Sequence, residues 1–362
     1  MATLFGRSFT RAELAERGGS IDQFAGVRMG ELTDGFERGV RVADVCTGSG
    51  FEFAVLADRG LDIGPARFGG APLAWRSPAA FAHPAYFEPE GLGWLRGFGG
   101  GLVTTCGLTY FGAPAVDDGQ SLGLHGRASN LPATNLAHGA DWHGDECELW
   151  VSGQLREARL FGENLALRRR ISARMGESRL TLEDAVTNEG HESTPHMLLY
   201  HCNLGYPVLS EHSELLIDDA EVLARDDGSA PGLPHHRRFE MPTPGYSEQV
   251  FQHVARTDAE GYAQAALVNP AFNGGRGLGV FVRWRAAELP WLNQWKMMGR
   301  GAYVLGLEPA TNWTVGRAAE RAAGRLRFLE PGETRNYRLE IGVLASQAEI
   351  DTFGSESLRR HR

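Results

Sequence analysis

Apolar and polar residues alternate with a period of two along most of the chain, and turn-forming residues break the alternation into short runs. Leu165, Leu167, Arg169 and Ile171 fall on one face of a predicted strand. After the Gly176-Glu177-Ser178 turn, Leu180, Leu182, Asp184 and Val186 fall on one face of the next. Val40 and Val42, then Phe51, Phe53 and Val55, and later Val280, Val282 and Trp284, repeat the pattern. Near the end, Leu326 and Phe328 run into Glu330-Pro331-Gly332-Glu333, where proline followed by glycine fits a type II turn. The segment carrying Tyr337, Leu339 and Ile341 is predicted to return antiparallel to the strand before that turn. Helical signals sit near the two ends. Thr10 and Glu13 form a capping box with Gly18 as the stop, and Ser346 with Glu349 opens a C-terminal helix.

No internal repeat and no Pro- or Ser-rich linker divides the 362 residues, so residues 1–362 read as a single domain. Many strands and few helices predict an all-β fold, a large antiparallel sandwich with short N- and C-terminal helices. The 47 glycines suit the many tight turns such a fold requires. A net charge of −9 argues against a nucleic-acid partner, which would demand surplus Lys and Arg. The cluster Arg168-Arg169-Arg170 divides between the two faces of its strand, and His235-His236-Arg237-Arg238 reads as an exposed loop that could rim a pocket. Cys46, Cys106, Cys147 and Cys202 are too scattered for a disulfide framework or a zinc site, and no metal is expected. The first residues carry charges where a secretory core would be apolar, and the uncharged stretch from Gly97 to Val116 is too rich in glycine and threonine to span a bilayer. The expectation is a cytoplasmic protein without a membrane partner. No dinucleotide fingerprint, phosphate loop or nucleophile elbow occurs, so no cofactor is expected.

The candidate chemistry centres on Val186 to Pro207. A strand breaks at Asn188-Glu189-Gly190 and resumes as Met197-Leu198-Leu199-Tyr200, delivering His201 beside Asn203 and Gly205. A histidine ending a buried strand is placed for proton transfer, or is a core histidine satisfied by one carbonyl. His125 lies in Gly123-Leu124-His125-Gly126, where the glycines permit close approach, or it is a turn residue in solvent. Glu308 ends the apolar run Val304 to Leu307, so it is either a proton acceptor raised in pKa by burial or a structural carboxylate paired with arginine. Trp291, Asn293, Gln294, Trp295 and Lys296 offer the amides, cation and flat rings a sugar requires, or they form a tryptophan-rich core. Arg96 and Glu248 complete the candidate set.

The ordered series Arg96, His125, His201, Glu248, Glu308 resembles the galactose mutarotase (aldose 1-epimerase) superfamily. The break, proline and strand into His201-Cys202-Asn203-Leu204 carry the most specific match, followed by Leu307-Glu308-Pro309, Leu124-His125-Gly126 and the Pro331-Gly332-Glu333 turn. Together these span roughly residues 40 to 345 and point to a side branch rather than a standard galactose enzyme. The resemblance implies a galactose mutarotase-like β-supersandwich and a mutarotase in which Glu308 is the general base and protonated His201 the general acid. It further implies that Arg96 and His125 hold the ring oxygen and hydroxyls and that Glu248 holds a distal hydroxyl; the amide and aromatic group before Glu308 adds Gln294 and Lys296 as expected substrate-binding residues. Two positions depart from the family: Glu248 stands where aspartate is usual, and Cys202 replaces the usual aromatic. Arg59, in Ala57-Asp58-Arg59-Gly60, competes with Arg96 for its role. The partner would be a small sugar, free or phosphorylated; a phosphorylated one calls for Arg237, Arg238 or Lys296 at the cleft. The surface strands could support a homodimer. A non-catalytic carbohydrate-binding protein is the alternative, and a glycoside hydrolase or lyase using Glu248 and Glu308 comes after it.

Overall fold

A computed structural model describes residues 1–359, with side chains through residue 355. Among the described residues the chain is built mainly from antiparallel strands. One eight-stranded sheet runs in the order Thr134–His143, Glu146–Ala158, Asn164–Arg174, Arg179–Asn188, Thr334–Leu344, Leu278–Arg285, Tyr262–Asn269 and Glu214–Ile217. A second sheet runs Asp219–Ala224, Gln249–Ala255, Trp291–Met298, Tyr303–Ala310, Thr194–Leu204 and Arg327–Leu329, with Thr104–Leu108 also paired to Thr194–Leu204. A five-stranded sheet gathers Gly26–Glu31 through Ala71–Pro72. The all-β sandwich expected from the alternation is the one observed. No helix among the described residues is long and apolar enough to cross a membrane.

The alternation works as the period-two rule requires. In Thr194–Leu204, the side chains of Leu198, Tyr200, Cys202 and Leu204 enter a core shared with Leu165, Leu167, Leu180, Leu182 and Ile341 of the eight-stranded sheet. Leu198 is 0% exposed, so its truncation to alanine would cost about 2–5 kcal/mol. Both end signals form helices. Thr10 and Glu13 cap Arg11–Ala15 reciprocally, and Ser346 with Glu349 opens Gln347–Arg359.

One expectation needs correction. The turn at Glu330–Glu333 forms, with Glu333 N–H donating to Glu330 O at 2.9 Å and Gly332 at a φ of 79°. Yet its two arms do not pair with each other. Arg327–Leu329 joins Thr194–His196 in the second sheet, whereas Thr334–Leu344 lies between Arg179–Asn188 and Leu278–Arg285 in the first. Asn188 enforces the split: its side-chain Nδ2 donates to Leu329 O, its backbone N–H to Glu333 O, and its carbonyl accepts from Gly332. The turn crosses from one sheet to the other.

The sheets are also tied by a buried ionic cluster. Arg169 donates through Nε and Nη2 to both oxygens of Asp184, at 2.8 and 2.6 Å, and through Nη1 to Asp62 at 2.9 Å. Tyr200 OH donates to Asp184 at 2.7 Å, and Thr105 donates its backbone N–H to Asp62 at 2.9 Å. Burial raises the Asp62 carboxyl to about 6, against the opposing pull of Arg169 and Thr105. Arg169 is held protonated, since its two carboxylates outweigh the burial that opposes its charge. The expectation that the three arginines divide between faces holds, with Arg169 fully buried. Replacing Arg169 with methionine would leave two buried carboxylates uncompensated and is expected to lower stability by about 3–5 kcal/mol in urea unfolding. A loss below about 1 kcal/mol would show that the cluster does not tie the sheets.

Candidate active site

The face of the second sheet turned away from that core carries a transverse polar row set by strand register. The pairing of Cys202 with Leu307 puts His201 opposite Glu308. Glu308 stands opposite Asn293, and Asn293 opposite Gln252. On the other flank, His201 stands opposite Thr104. All five are buried, His201 to 4% and Glu308 to 2% exposure. Aromatic rings wall the row: Phe98 and Trp295 have centroids 5.3 and 5.4 Å from the His201 ring, and His125 lies 5.8 Å away. Trp94 packs on both Phe98 and His125, and Trp75 meets Trp295 edge-on.

His201 Nε2 lies 3.1 Å from Glu308 Oε1, but the approach is not aligned for a hydrogen bond, and Oε1 has no hydrogen-bond partner. Burial pushes the Glu308 carboxyl well above the ordinary carboxylate range, reinforced by the Glu248 charge and opposed by Arg225. Burial likewise drives the His201 imidazole well below its ordinary value, with His125 adding to the effect and Asn203 opposing it. His125 falls to about 4 for the same main reason, with a smaller contribution from Arg225. Burial thus favours a carboxylic acid beside a neutral imidazole over the ionic pair. This arrangement has the same proton count as a carboxylate beside an imidazolium, and polar groups brought into the site favour the ionic form.

Unsatisfied polar atoms gather here. Among the described residues, His125 Nδ1, His201 Nδ1, Asn203 Oδ1, Gln252 Nε2, Asn293 Oδ1 and Glu308 Oε1 are buried without hydrogen-bond partners. Such atoms are costly in a folded chain and mark where a polar ligand would be received. Donors and acceptors are both represented, as a polyhydroxylated ligand requires. At the rim, Trp295 Nε1 donates to Glu248 at 2.8 Å, and Arg225 bridges Glu248 and Asp226.

The structure thus brings together His201, Glu308 and His125, with Glu248 at the edge, immediately before the strand Gln249–Ala255. Other expected site residues lie elsewhere. Arg96 closes a short 3-10 turn that points Trp94 inward and leaves the arginine exposed beside Glu88, 3.3 Å away. Arg59 is buried but donates to Ala82 O, Asn130 and Gly97 O, fixing the loop that carries Phe98. Gln294 and Lys296 alternate with Asn293 and Trp295 and therefore occupy the opposite face. There Gln294 binds His253 and His236 O, and Lys296 binds Glu240 and Arg238 O. Arg237 is likewise engaged behind the sheet by Asp219.

The glycines around His125 play a different part from the one expected. A Cβ on Gly126 would sit 2.3 Å from Tyr110 O, and one on Gly123 would sit 2.0 Å from Pro89 O. They allow backbone to dock on backbone, holding His125 at a left-handed φ of 57° with its N–H on Gly112 O. Gln252 and Arg225 carry no signal in the sequence, and of Trp291–Met298 the expected Gln294 and Lys296 lie on the face away from the polar row. Period-two alternation was the available signal, since Asn293 and Trp295 cannot share a face with Gln294 and Lys296.

Residues 37–343 match the family model described as "Domain of unknown function (DUF4432)", and the chain belongs to that family. A candidate aldose 1-epimerase from Klebsiella pneumoniae subsp. pneumoniae MGH 78578 is 25% identical, with a TM-score of 0.87 over 92% of this chain and 87% of that one. A galactose mutarotase-like protein from Clostridium acetobutylicum is 12% identical, with a TM-score of 0.63 over 89% of this chain and 99% of that one. The galactose 1-epimerase of Lactobacillus acidophilus NCFM, also 12% identical, has a TM-score of 0.55 over 89% of this chain and 100% of that one. The fold is galactose mutarotase-like. No curated protein sequence matches the chain.

Two neighbouring glutamines give a contrasting prediction. Gln252→Leu removes an unsatisfied amide nitrogen and is expected to leave stability unchanged or raise it by up to about 2 kcal/mol. Gln294→Leu strips partners from His253 and His236 O and is expected to cost about 1–3 kcal/mol. Urea unfolding of both variants checks this. Equal losses would mean that the polar row is ordinary core.

Proposed function

We propose that the protein is an aldose 1-epimerase-type mutarotase acting on a free, uncharged sugar. The observation that carries this reading is the His201–Glu308 pair, 3.1 Å apart and buried in an aromatic-walled site with unsatisfied donors and acceptors around it. The likeness to aldose 1-epimerase-type structures supports it.

A cyclic sugar carries its hydroxyl and its ring oxygen on one anomeric carbon, so two adjacent proton-transfer groups can reach both. Sugar hydroxyls entering the site supply the hydrogen bonds that favour Glu308 carboxylate and His201 imidazolium over the neutral pair, with no proton taken from solvent. Glu308 then accepts the proton of the anomeric hydroxyl as His201 donates to the ring oxygen. The bond between the anomeric carbon and the ring oxygen breaks, and a carbonyl forms. Rotation about the adjacent carbon–carbon bond exposes the other carbonyl face. The ring hydroxyl attacks, returning its proton to His201, while Glu308 returns a proton to the new anomeric hydroxyl. General acid–base assistance of this kind supplies about 10² to 10⁴ in rate, a useful gain for a reaction that already proceeds in water.

An uncharged sugar is favoured because three of the cations suited to a phosphate are committed elsewhere. Lys296 and Arg237 bond behind the sheet, and Arg225 at the rim is neutralised by Glu248 and Asp226. Trp295 and Trp75 offer flat faces to the apolar side of a sugar ring.

Anomer exchange of free pentoses, hexoses, deoxy sugars and ketoses, followed by saturation-transfer NMR, tests the proposal. Acceleration is expected for one or a few sugars and should fall by about 10² to 10⁴ in Glu308→Gln and in His201→Asn. The working pair holds one proton. Because the His201 value is depressed, the acid-side loss of kcat/KM is expected below pH 6.5, the ordinary imidazole value; because the Glu308 value is raised, the alkaline loss should lie above the ordinary carboxylate range. Sugar binding without exchange would favour the carbohydrate-binding alternative.

A further inference from the structure

Behind the polar row, on the opposite face of the same sheet, three ligand-type side chains from separate segments converge. They are Asp219 at the start of Asp219–Ala224, His253 in Gln249–Ala255, and His236 just after the 3-10 helix Ala230–His235. One ligand atom from each lies within 4.8 Å of the others. His253 Nδ1 is 2.9 Å from Asp219 Oδ1, and His236 Nε2 is 3.9 Å from Asp219 Oδ2.

The hydrogen bonds on the far side of each ring fix which nitrogen faces the centre. His236 Nδ1 donates to Leu233 O at 2.7 Å, so in the neutral ring Nε2 is a lone pair. Gln294 donates its amide nitrogen to His236 O at 2.7 Å, which leaves Oε1 as the acceptor for His253 Nε2 at 3.0 Å. In the neutral ring His253 Nδ1 is then also a lone pair facing a carboxylate oxygen, whereas in the imidazolium it donates to that oxygen. Two imidazole nitrogens and a carboxylate aimed at one point favour a positive species between them, a proton or a metal ion. The arrangement also has the outer bonds typical of metal-ligating histidines, one to a backbone carbonyl and one to an amide oxygen.

At present Arg237 supplies part of that charge, with Nη2 2.7 Å from Asp219 Oδ2 and Nε 3.3 Å from His236 Nε2. Its side chain is 43% exposed and can swing into solvent, whereas His253 is fully buried. We propose that Asp219, His236 and His253 form a binding site for a divalent transition-metal ion, zinc being the natural probe, with Arg237 displaced on binding. Zinc bonds of about 2.0–2.2 Å in tetrahedral geometry need small shifts from the observed separations, and solvent fills the remaining position. The site lies outside the polar row that carries the proposed mutarotase chemistry.

The test is equilibrium dialysis of tag-free, chelator-stripped full-length protein against zinc chloride, with elemental analysis. About one zinc per chain is expected, with affinity falling about 100-fold or more in His253→Gln and in Asp219→Asn. Arg237→Gln keeps all three ligands and removes the competing guanidinium, so it is expected to bind zinc more tightly than the wild type. This variant keeps the test decisive should either ligand variant fail to fold. Absence of stoichiometric zinc in the wild type would overturn the proposal, as would binding unchanged in folded ligand variants or weakened in Arg237→Gln.

Discussion

The buried contact between Arg169 and its two carboxylates constrains much of the fold. It joins Asp184 of the eight-stranded sheet to Asp62 of the five-stranded sheet, and through Tyr200 and Thr105 it reaches the two strands that flank the candidate site. Tyr200 and Thr105 are the immediate neighbours of His201 and Thr104. Because side chains alternate along a strand, a residue locked inward fixes its neighbour outward. The ionic cluster on one face thereby sets where the imidazole stands on the other. A charge this deeply buried is stable only when fully paired, which gives the cluster little freedom to shift.

The proposed chemistry follows from the same burial. Strands and aromatic rings remove solvent from His201 and Glu308, and each responds by favouring its neutral form. Neither group is neutralised by a fixed counter-ion, so the proton they share is free to change places when hydrogen-bonding groups arrive. An arginine directly against Glu308 would hold it ionised and make it a weaker base. The structure instead keeps Arg225 at the rim, bound to two carboxylates.

The sheets were largely legible because a half-buried strand must alternate, and Leu165–Ile171 and Leu180–Val186 do so cleanly. The pairing of Arg327–Leu329 was not, because a type II turn looks the same whether its arms stay in one sheet or part, and Asn188, which separates them, is distant in sequence. His201 and Glu308 stood out as polar residues interrupting apolar strands. Arg96 did not reveal itself as exposed, since a 3-10 turn lacks a strand's period. Gln294 and Lys296 were legible in principle: Leu292 and Met298 share their face and belong to the main core. Asp219, His236 and His253 carry no shared motif, because three separate segments bring them together.

The most direct test of the shared-proton account is the protonation state of Glu308, read by infrared difference spectroscopy with carboxyl isotope labelling. The account predicts a protonated carboxyl band in the free protein at neutral pH, absent from Glu308→Gln, that converts to carboxylate when a sugar binds. A carboxylate signal for Glu308 already present in the free protein would contradict it.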